Sequence, residues 1–294
     1  MTVAAEVQAP QWYLDAIATP AELGELIVEG VPIATRSWGE PGGEGIVLVH
    51  GGAAHARWWD HIAPLLTAHH RVVALDLSGH GDSGERTEYR LNTWAAEVLA
   101  AAASAGFAAP PTLVGHSMGG LVSLRAAAIA GQELTGLIVV DTPVSEAPPE
   151  DLAASDKIAF GPKRVYPTRA DAVSHFRPVP AQATLPYVEA YVAENSVTEN
   201  GIGWSWKFDP RIFGRPVITP EVLTRLQCRV AFFRAEMGMI DAAMEEVIYD
   251  GLGRIAPVIE IPQAAHHVML DQPLALVTGI RTLLGEWDHS LPLA

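Results

Sequence analysis

The stretch "VGHSMGG" at residues 114–120 sets one hydroxyl, that of Ser117, between Gly115 and Gly119. The apolar, strand-like "PTLV" of residues 111–114 runs into it, and the helix-like "LVSLRAAA" of residues 121–128 follows it. A serine at such a junction reads as a nucleophile on a strained strand-to-helix turn, where glycines let backbones approach closely. It reads equally as a tight connection that happens to contain serine. A five-residue glycine pattern arises by chance, so the surrounding chain must decide.

Outward from that turn, short β-branched runs alternate with longer helical stretches, the pattern of a mostly parallel sheet covered by helices on both faces. Strands are expected at residues 26–29, 33–38, 46–50, 71–76, 112–115, 136–141, 229–235 and 258–261. A helix is expected over "WAAEVLAAAASAGF", with Thr93 as its cap, Glu97 in its first turns and Gly106 near its end. From Pro143 to about Pro220 the alternation stops, and proline, aromatic and charged residues dominate with helical fragments and no convincing strand. We read this interval as a cap inserted into one core, because its aromatics argue against disorder.

Composition narrows the function. The chain has 294 residues, enough for a sizeable core, and 49% of them are hydrophobic, as in a globular protein. Lys and Arg number 19 against 34 Asp and Glu, a formal charge of −15, which repels phosphate backbones and anionic head groups. Nucleic acid and membrane surfaces are therefore not expected partners. Cys228 is the only cysteine, so an intrachain disulfide and a zinc site built on several thiolates are excluded. No run approaches the length of a membrane span, and the N-terminal segment, with Glu6 and Asp15 and no basic start, does not read as a signal peptide. A cytoplasmic protein is expected.

A serine hydroxyl at neutral pH needs a general base within hydrogen-bond reach and a third group to orient that base. The loop "QAAHHVMLDQP", after the last strand and before the last helix, offers His266 and His267. An oxyanion needs backbone N–H donors. In a nucleophile-elbow arrangement one comes from the residue after the serine, Met118, and another from the loop after the third core strand, here "HGGAAHARWW" with Gly52. Among the aromatics of the inserted interval (Phe160, Tyr166, Phe176, Tyr187, Tyr191, Trp204, Trp206 and Phe208), most are expected to form the cap's own small core. Trp204, Trp206 and Phe176, with Trp58, are expected to line an apolar pocket facing Ser117.

Taken in order, "VLVHGG" with its following "WW", "VVALDLSGHGDSG", "LVGHSMGG", "LIVVDTP" and "IPQAAHHVMLDQP" resemble the α/β-hydrolase fold superfamily over nearly the whole chain. The resemblance implies an α/β fold, a mostly parallel eight-stranded sheet flanked by helices with an inserted helical cap. It divides the chain into core residues 1–143, cap 144–219 and core 220–294. It also implies a Ser-His-acid triad with no cofactor and no metal. Against the pattern Gly-His-x-x-x-Leu-Asp-Gln-Pro, His266 aligns as the base and His267 is the alternative. The "DLSGHGDSG" loop is structural in this pattern, so Asp76, His80 and Asp82 are given no catalytic role.

The acid departs from the pattern. Many members carry an aspartate after the seventh strand, where this chain has Gly238. Asp141 at the end of the sixth strand is the expected replacement, being held rigidly at a strand end, with Asp241 as the alternative and Glu236 a third option. The expected function is a cofactor-independent serine hydrolase cleaving an ester or lactone of a hydrophobic small molecule through an acyl-enzyme. The alternatives are a carbon-carbon bond hydrolase of ring-fission products or a small-molecule receptor that uses the hydrolase pocket. Homo-oligomerisation is left open.

Overall fold

The computed structural model describes residues 8–144, 163–213 and 218–290. Eight strands, β1 (Glu22–Val28), β2 (Val31–Trp38), β3 (Glu44–Val49), β4 (His70–Leu75), β5 (Thr112–His116), β6 (Gly136–Val140), β9 (Arg229–Met237) and β10 (Val258–Ala265), form one sheet. Their order is β1-β2-β4-β3-β5-β6-β9-β10. β1 and β2 pair antiparallel with each other, and β2 antiparallel with β4. From β4 to β10 every pairing is parallel.

The apolar runs of the sequence explain the central strands. All five residues of β5 and of β6 are buried, as expected of parallel strands covered on both faces. Alternate side chains feed two separate cores, because successive residues of a strand point to opposite faces. Ile46, Leu48, Val114, Ile138 and Val140 join one core with Trp59, Leu276 and Ile280. Val47, Val49, Leu113, Leu137 and Val139 join the other with Trp94, Val98, Val122 and Leu124. The helices involved are α2 (Leu91–Ser104), α3 (Met118–Ala130) and α8 (Pro273–His289), while α1 (Gln11–Ala18), α6 (Ala242–Gly251) and the short α7 (Val268–Asp271) complete the shell.

Two expectations change. The helix expected to be capped by Thr93 begins at Leu91, and Arg90 occupies the cap position without a side-chain hydrogen bond to the helix end, so Thr93 lies inside the first turn. The interval between β6 and β9, expected to lack strands, holds the antiparallel hairpin β7 (Val197–Glu199) and β8 (Trp204–Trp206) beside helices α4 (Arg169–Ser174) and α5 (Pro186–Asn195). Asn200-Gly201 in its connection was the legible signal, since Asn-Gly readily adopts the positive φ that hairpin turns require.

Hydrogen bonds tie this interval to the loops that leave the sheet. The N–H of Leu185 donates to Leu270 O at 2.8 Å, the N–H of Gly81 to Lys207 O at 2.8 Å, and the N–H of Asp209 to Gly79 O at 2.8 Å. Tyr191 on α5 donates its hydroxyl to Asp60 at 2.5 Å, where Arg36 also holds the carboxylate through two N–H groups at 2.9 and 3.0 Å.

Candidate active site

The turn between β5 and α3 answers the question posed by its glycines. Ser117 sits at φ 53°, ψ −121°, a left-handed backbone that side-chain-bearing residues rarely adopt. Holding it there requires the new helix to press back on the sheet. A Cβ at Gly115 would lie 2.4 Å from Gly119 O, and one at Gly119 would lie 2.3 Å from His50 O. Both contacts are closer than any side chain permits, so neither position accepts more than hydrogen. The strain is sustained by the N–H of Ser117, which donates to Val140 O at 3.1 Å, and by the helix start, where Leu121 N–H donates to Ser117 O at 3.3 Å.

The loop after β10 delivers His266 to this turn. Its Nε2 stands 3.0 Å from Ser117 Oγ, and its Nδ1 stands 2.7 Å from Asp141 Oδ2. A carboxylate only accepts, so Nδ1 carries the proton and Nε2 offers its lone pair to the serine hydroxyl. The loop itself is held by Asp271, which accepts the N–H of Ala265 at 2.7 Å; this carboxyl, raised to about 6 chiefly by burial, was not singled out in the sequence.

Asp141 reaches His266 from the end of β6 with its side chain fully buried. Its Oδ1 accepts the N–H of Ala235 at 3.2 Å and its Oδ2 that of Met239 at 2.9 Å. The same carboxylate fills the space beside Gly238, where a Cβ would fall 2.3 Å from Oδ1. The alternatives are used elsewhere. Asp241 caps α6 by accepting the N–H of Met244 at 2.8 Å, and Glu236 accepts the N–H of Gln263 at 2.6 Å.

His267 points away from the serine. Its Nε2 meets Val179 O at 3.1 Å, its N–H donates to the Gln182 side chain at 2.8 Å, and burial lowers its pKa to about 3. Gln182 also bonds Asp271, linking the interval to the histidine loop, a role invisible in the sequence because its partner lies 89 residues away.

The glycine loop after β3 lies against the turn, for a Cβ at Gly51 would be 3.3 Å from Ser117 Cβ. Among the described residues the N–H groups of Gly52 and Met118 donate to no acceptor. Trp58 stands against His267 at 5.4 Å between ring centroids and against Phe176 at 6.2 Å, and Phe176 reaches Trp206 at 6.1 Å. Trp204 packs instead in a small separate cluster with Tyr166, Ala172 and Val197. Phe160 lies outside the described residues. Asp76 supports the site from beneath, accepting the N–H groups of Ala56 at 2.6 Å and Asp82 at 2.8 Å.

The family model described as the alpha/beta hydrolase family matches residues 46–279, a span that includes the serine turn, Asp141 and the histidine loop. The chain belongs to the alpha/beta hydrolase family. Among its relatives is the dihydrolipoyllysine-residue acetyltransferase component of the acetoin cleaving system of Pseudomonas putida, 40% identical over 106 residues, which are 35% of this chain and 29% of that protein. The chain thus matches less than a third of that relative's length. An esterase of Mycobacterium tuberculosis is 24% identical over 268 residues, covering 87% of this chain and 88% of its own. In three dimensions, a thioesterase domain from the curacin biosynthetic pathway superposes with a TM-score of 0.75 at 23% identity, over 89% of this chain and 99% of that one, and shares the hydrolase fold. Among the described residues no helix is long and apolar enough to cross a membrane.

Proposed function

We propose that this hydrolase cleaves a carboxylic ester or lactone of a hydrophobic small molecule through an acyl-enzyme. The observation that carries the reading is the hydrogen-bonded chain Ser117–His266–Asp141, with its two short links at 3.0 and 2.7 Å. Ser117 Oγ attacks the substrate carbonyl while His266 Nε2 takes its proton, and Asp141 holds the ring in the receiving tautomer. The N–H groups of Gly52 and Met118 receive the developing oxyanion. The C–O bond then breaks, His266 returns the proton to the departing alkoxide, and a water activated by the same imidazole releases the acid. The esterase relative that covers 87% of the chain supports ester chemistry, and the aromatic contacts of Trp58 with His267 and Phe176, and of Phe176 with Trp206, support an apolar substrate.

A fluorophosphonate probe and a panel of aryl esters and lactones test the reading. Covalent label is expected on Ser117, with a burst of product from at least one ester. Ser117→Ala should lose the label and lower kcat on the order of 10⁶-fold, the size seen when a hydrolase nucleophile is removed. Label on another residue, or turnover retained in the alanine variant, would sink the proposal. A protein that binds panel members without any burst is a receptor.

A further inference from the structure

The loop that carries His266 is held from two sides. From the core, His116 and His266 stack with ring centroids 4.8 Å apart, and His116 Nε2 meets His266 O at 2.8 Å. From the inserted interval, the side-chain amide of Gln182 grips the next residue by both of its backbone groups. Gln182 Oε1 accepts the N–H of His267 at 2.8 Å, while Gln182 Nε2 donates to His267 O at 3.2 Å and to Asp271 Oδ2 at 3.1 Å. A backbone N–H only donates and a carbonyl only accepts, so these partners fix which way round the amide stands. Two more bonds flank the grip: Val179 O meets His267 Nε2 at 3.1 Å, and the N–H of Leu185 donates to Leu270 O at 2.8 Å. Around it, His267 Nδ1, Asp271 Oδ1 and Trp58 Nε1 are buried without a hydrogen-bond partner. Unpaired buried groups oppose the closed junction, which leaves the Gln182 bonds to hold it. The gripping segment, residues 176–185, lies between α4 and α5 and has no helix or strand of its own. It begins with Phe176, which stands against Trp58 and Trp206.

We propose that Gln182 is a positioning residue that couples the inserted interval to the catalytic base, so that an apolar acyl group seated against Phe176 also seats His266. One short segment serves both ends of this link, with the substrate wall at its start and the grip six residues later. His267 is peptide-bonded to His266, so any drift of its backbone moves the imidazole relative to Ser117 Oγ and Asp141. The links at 3.0 and 2.7 Å tolerate little drift, since a misplacement of about 1 Å can cost on the order of 10²-fold in rate. The acyl group is the part of the substrate that stays on the enzyme through both chemical steps. Its remote binding energy therefore acts in the transition states and raises kcat, instead of only lowering KM. The coupling rests on the hydrolase reading of His266 above, whereas the grip on the loop does not.

Kinetics on p-nitrophenyl acetate, butyrate, hexanoate and octanoate, with hydrogen exchange on the same full-length protein, check the coupling. In the parent, kcat should rise about tenfold from acetate to octanoate as the longer acyl chain seats the base. Gln182→Met keeps the length of the side chain and removes its three hydrogen bonds. It should flatten the rise in kcat to less than about twofold, while KM still falls with chain length because the apolar wall is intact. Exchange of the backbone amides of residues 265–268, followed by mass spectrometry, should be about tenfold faster in that variant once the grip is lost. Gln182→Asn keeps the amide but is one methylene shorter, so it should behave the same way, and it decides if a melting curve shows Gln182→Met unfolded. Thr184→Ala removes a bond that runs from the same segment to Glu189 and should change neither readout. A flat kcat series in the parent, an undiminished rise in both Gln182 variants, or equal flattening in Thr184→Ala overturns the coupling. Unchanged exchange overturns the grip. A protein that hydrolyses none of the esters and takes no fluorophosphonate on Ser117 removes the hydrolase reading, and faster exchange in Gln182→Met would then still show the grip. An active, labelled protein with a flat kcat series does the reverse.

Discussion

The ends of β6 and β9 lie side by side, paired through Val140 and Phe233, yet they handle their acidic residues in opposite ways. Past β6 the chain turns at once. Asp141 takes a left-handed φ of 42° and donates its N–H to Phe233 O at 2.8 Å, so its carboxylate is aimed sideways, across β9, at His266. Past β9 the chain runs on to Gly238 and then to Asp241, which is exposed and spends its carboxylate on the first turn of α6. The difference teaches that rigidity decides which acid meets the histidine. Asp141 has backbone donors on both oxygens and no freedom to leave, whereas Asp241 is committed to a helix end.

The largest effect that can break this contrast is removal of the buried acid. Asp141→Asn is expected to lower kcat by roughly 10⁴-fold, the loss seen when a triad histidine is left in the wrong tautomer. Saturating substrate and a circular dichroism spectrum matching the parent are the controls, and an Asp141→Asn variant with near-parental kcat would return the acid to the β9 side. A smaller effect should come from crowding. Gly238→Ala places a methyl group into the Asp141 carboxylate, and displacement of the acid by about an ångström is expected to cost about 10²-fold in kcat with Asp141 still present. Kinetics unchanged in that variant would show that the loop gives way freely. The smallest effect belongs to Asp241. Asp241→Ala should lower kcat by less than tenfold, about 1.4 kcal/mol in barrier, while losing about 1 kcal/mol of stability as a helix cap. Asp241→Asn should lose almost none of that stability, since asparagine caps as well as aspartate. Urea melts of the two variants separate the cap from the chemistry.

Much of the sheet was legible because parallel strands buried on both faces must be continuous apolar runs, and those around Leu48, Val114 and Ile138 are unbroken. Punctuation narrowed the nucleophile to Ser117, at a strand-to-helix junction, and the base to the pair His266 and His267, just past the last strand, while the resemblance chose His266. Asp141 was preferred for the rigidity of a strand end, whereas its place beside His266 depends on β6 and β9 being neighbours, a fact of sheet order that the residues alone do not carry. Local rules failed where tertiary contacts competed. Thr93 has the chemistry of a cap, but the chain enters its helix two residues earlier. The hairpin of β7 and β8 has only three residues per strand, too few for any periodicity, and Asn200-Gly201 was its one mark. The histidine stack was invisible because His116 lies 150 residues from His266, whose carbonyl it bonds.

The space shared by Asp141 and Gly238 gives the acid one room with two doors. In this chain a side chain at position 238 and the Asp141 carboxylate compete for the same space, so a carboxylate introduced at 238 would displace the one already there. A protein moving its acid from one strand to the other by single substitutions meets an intermediate with either two side chains in that room or none, and each is impaired. Such a move therefore needs both changes together, or a period without selection on turnover. Glycine at position 238 is then no gap but the opening through which the acid enters from the neighbouring strand.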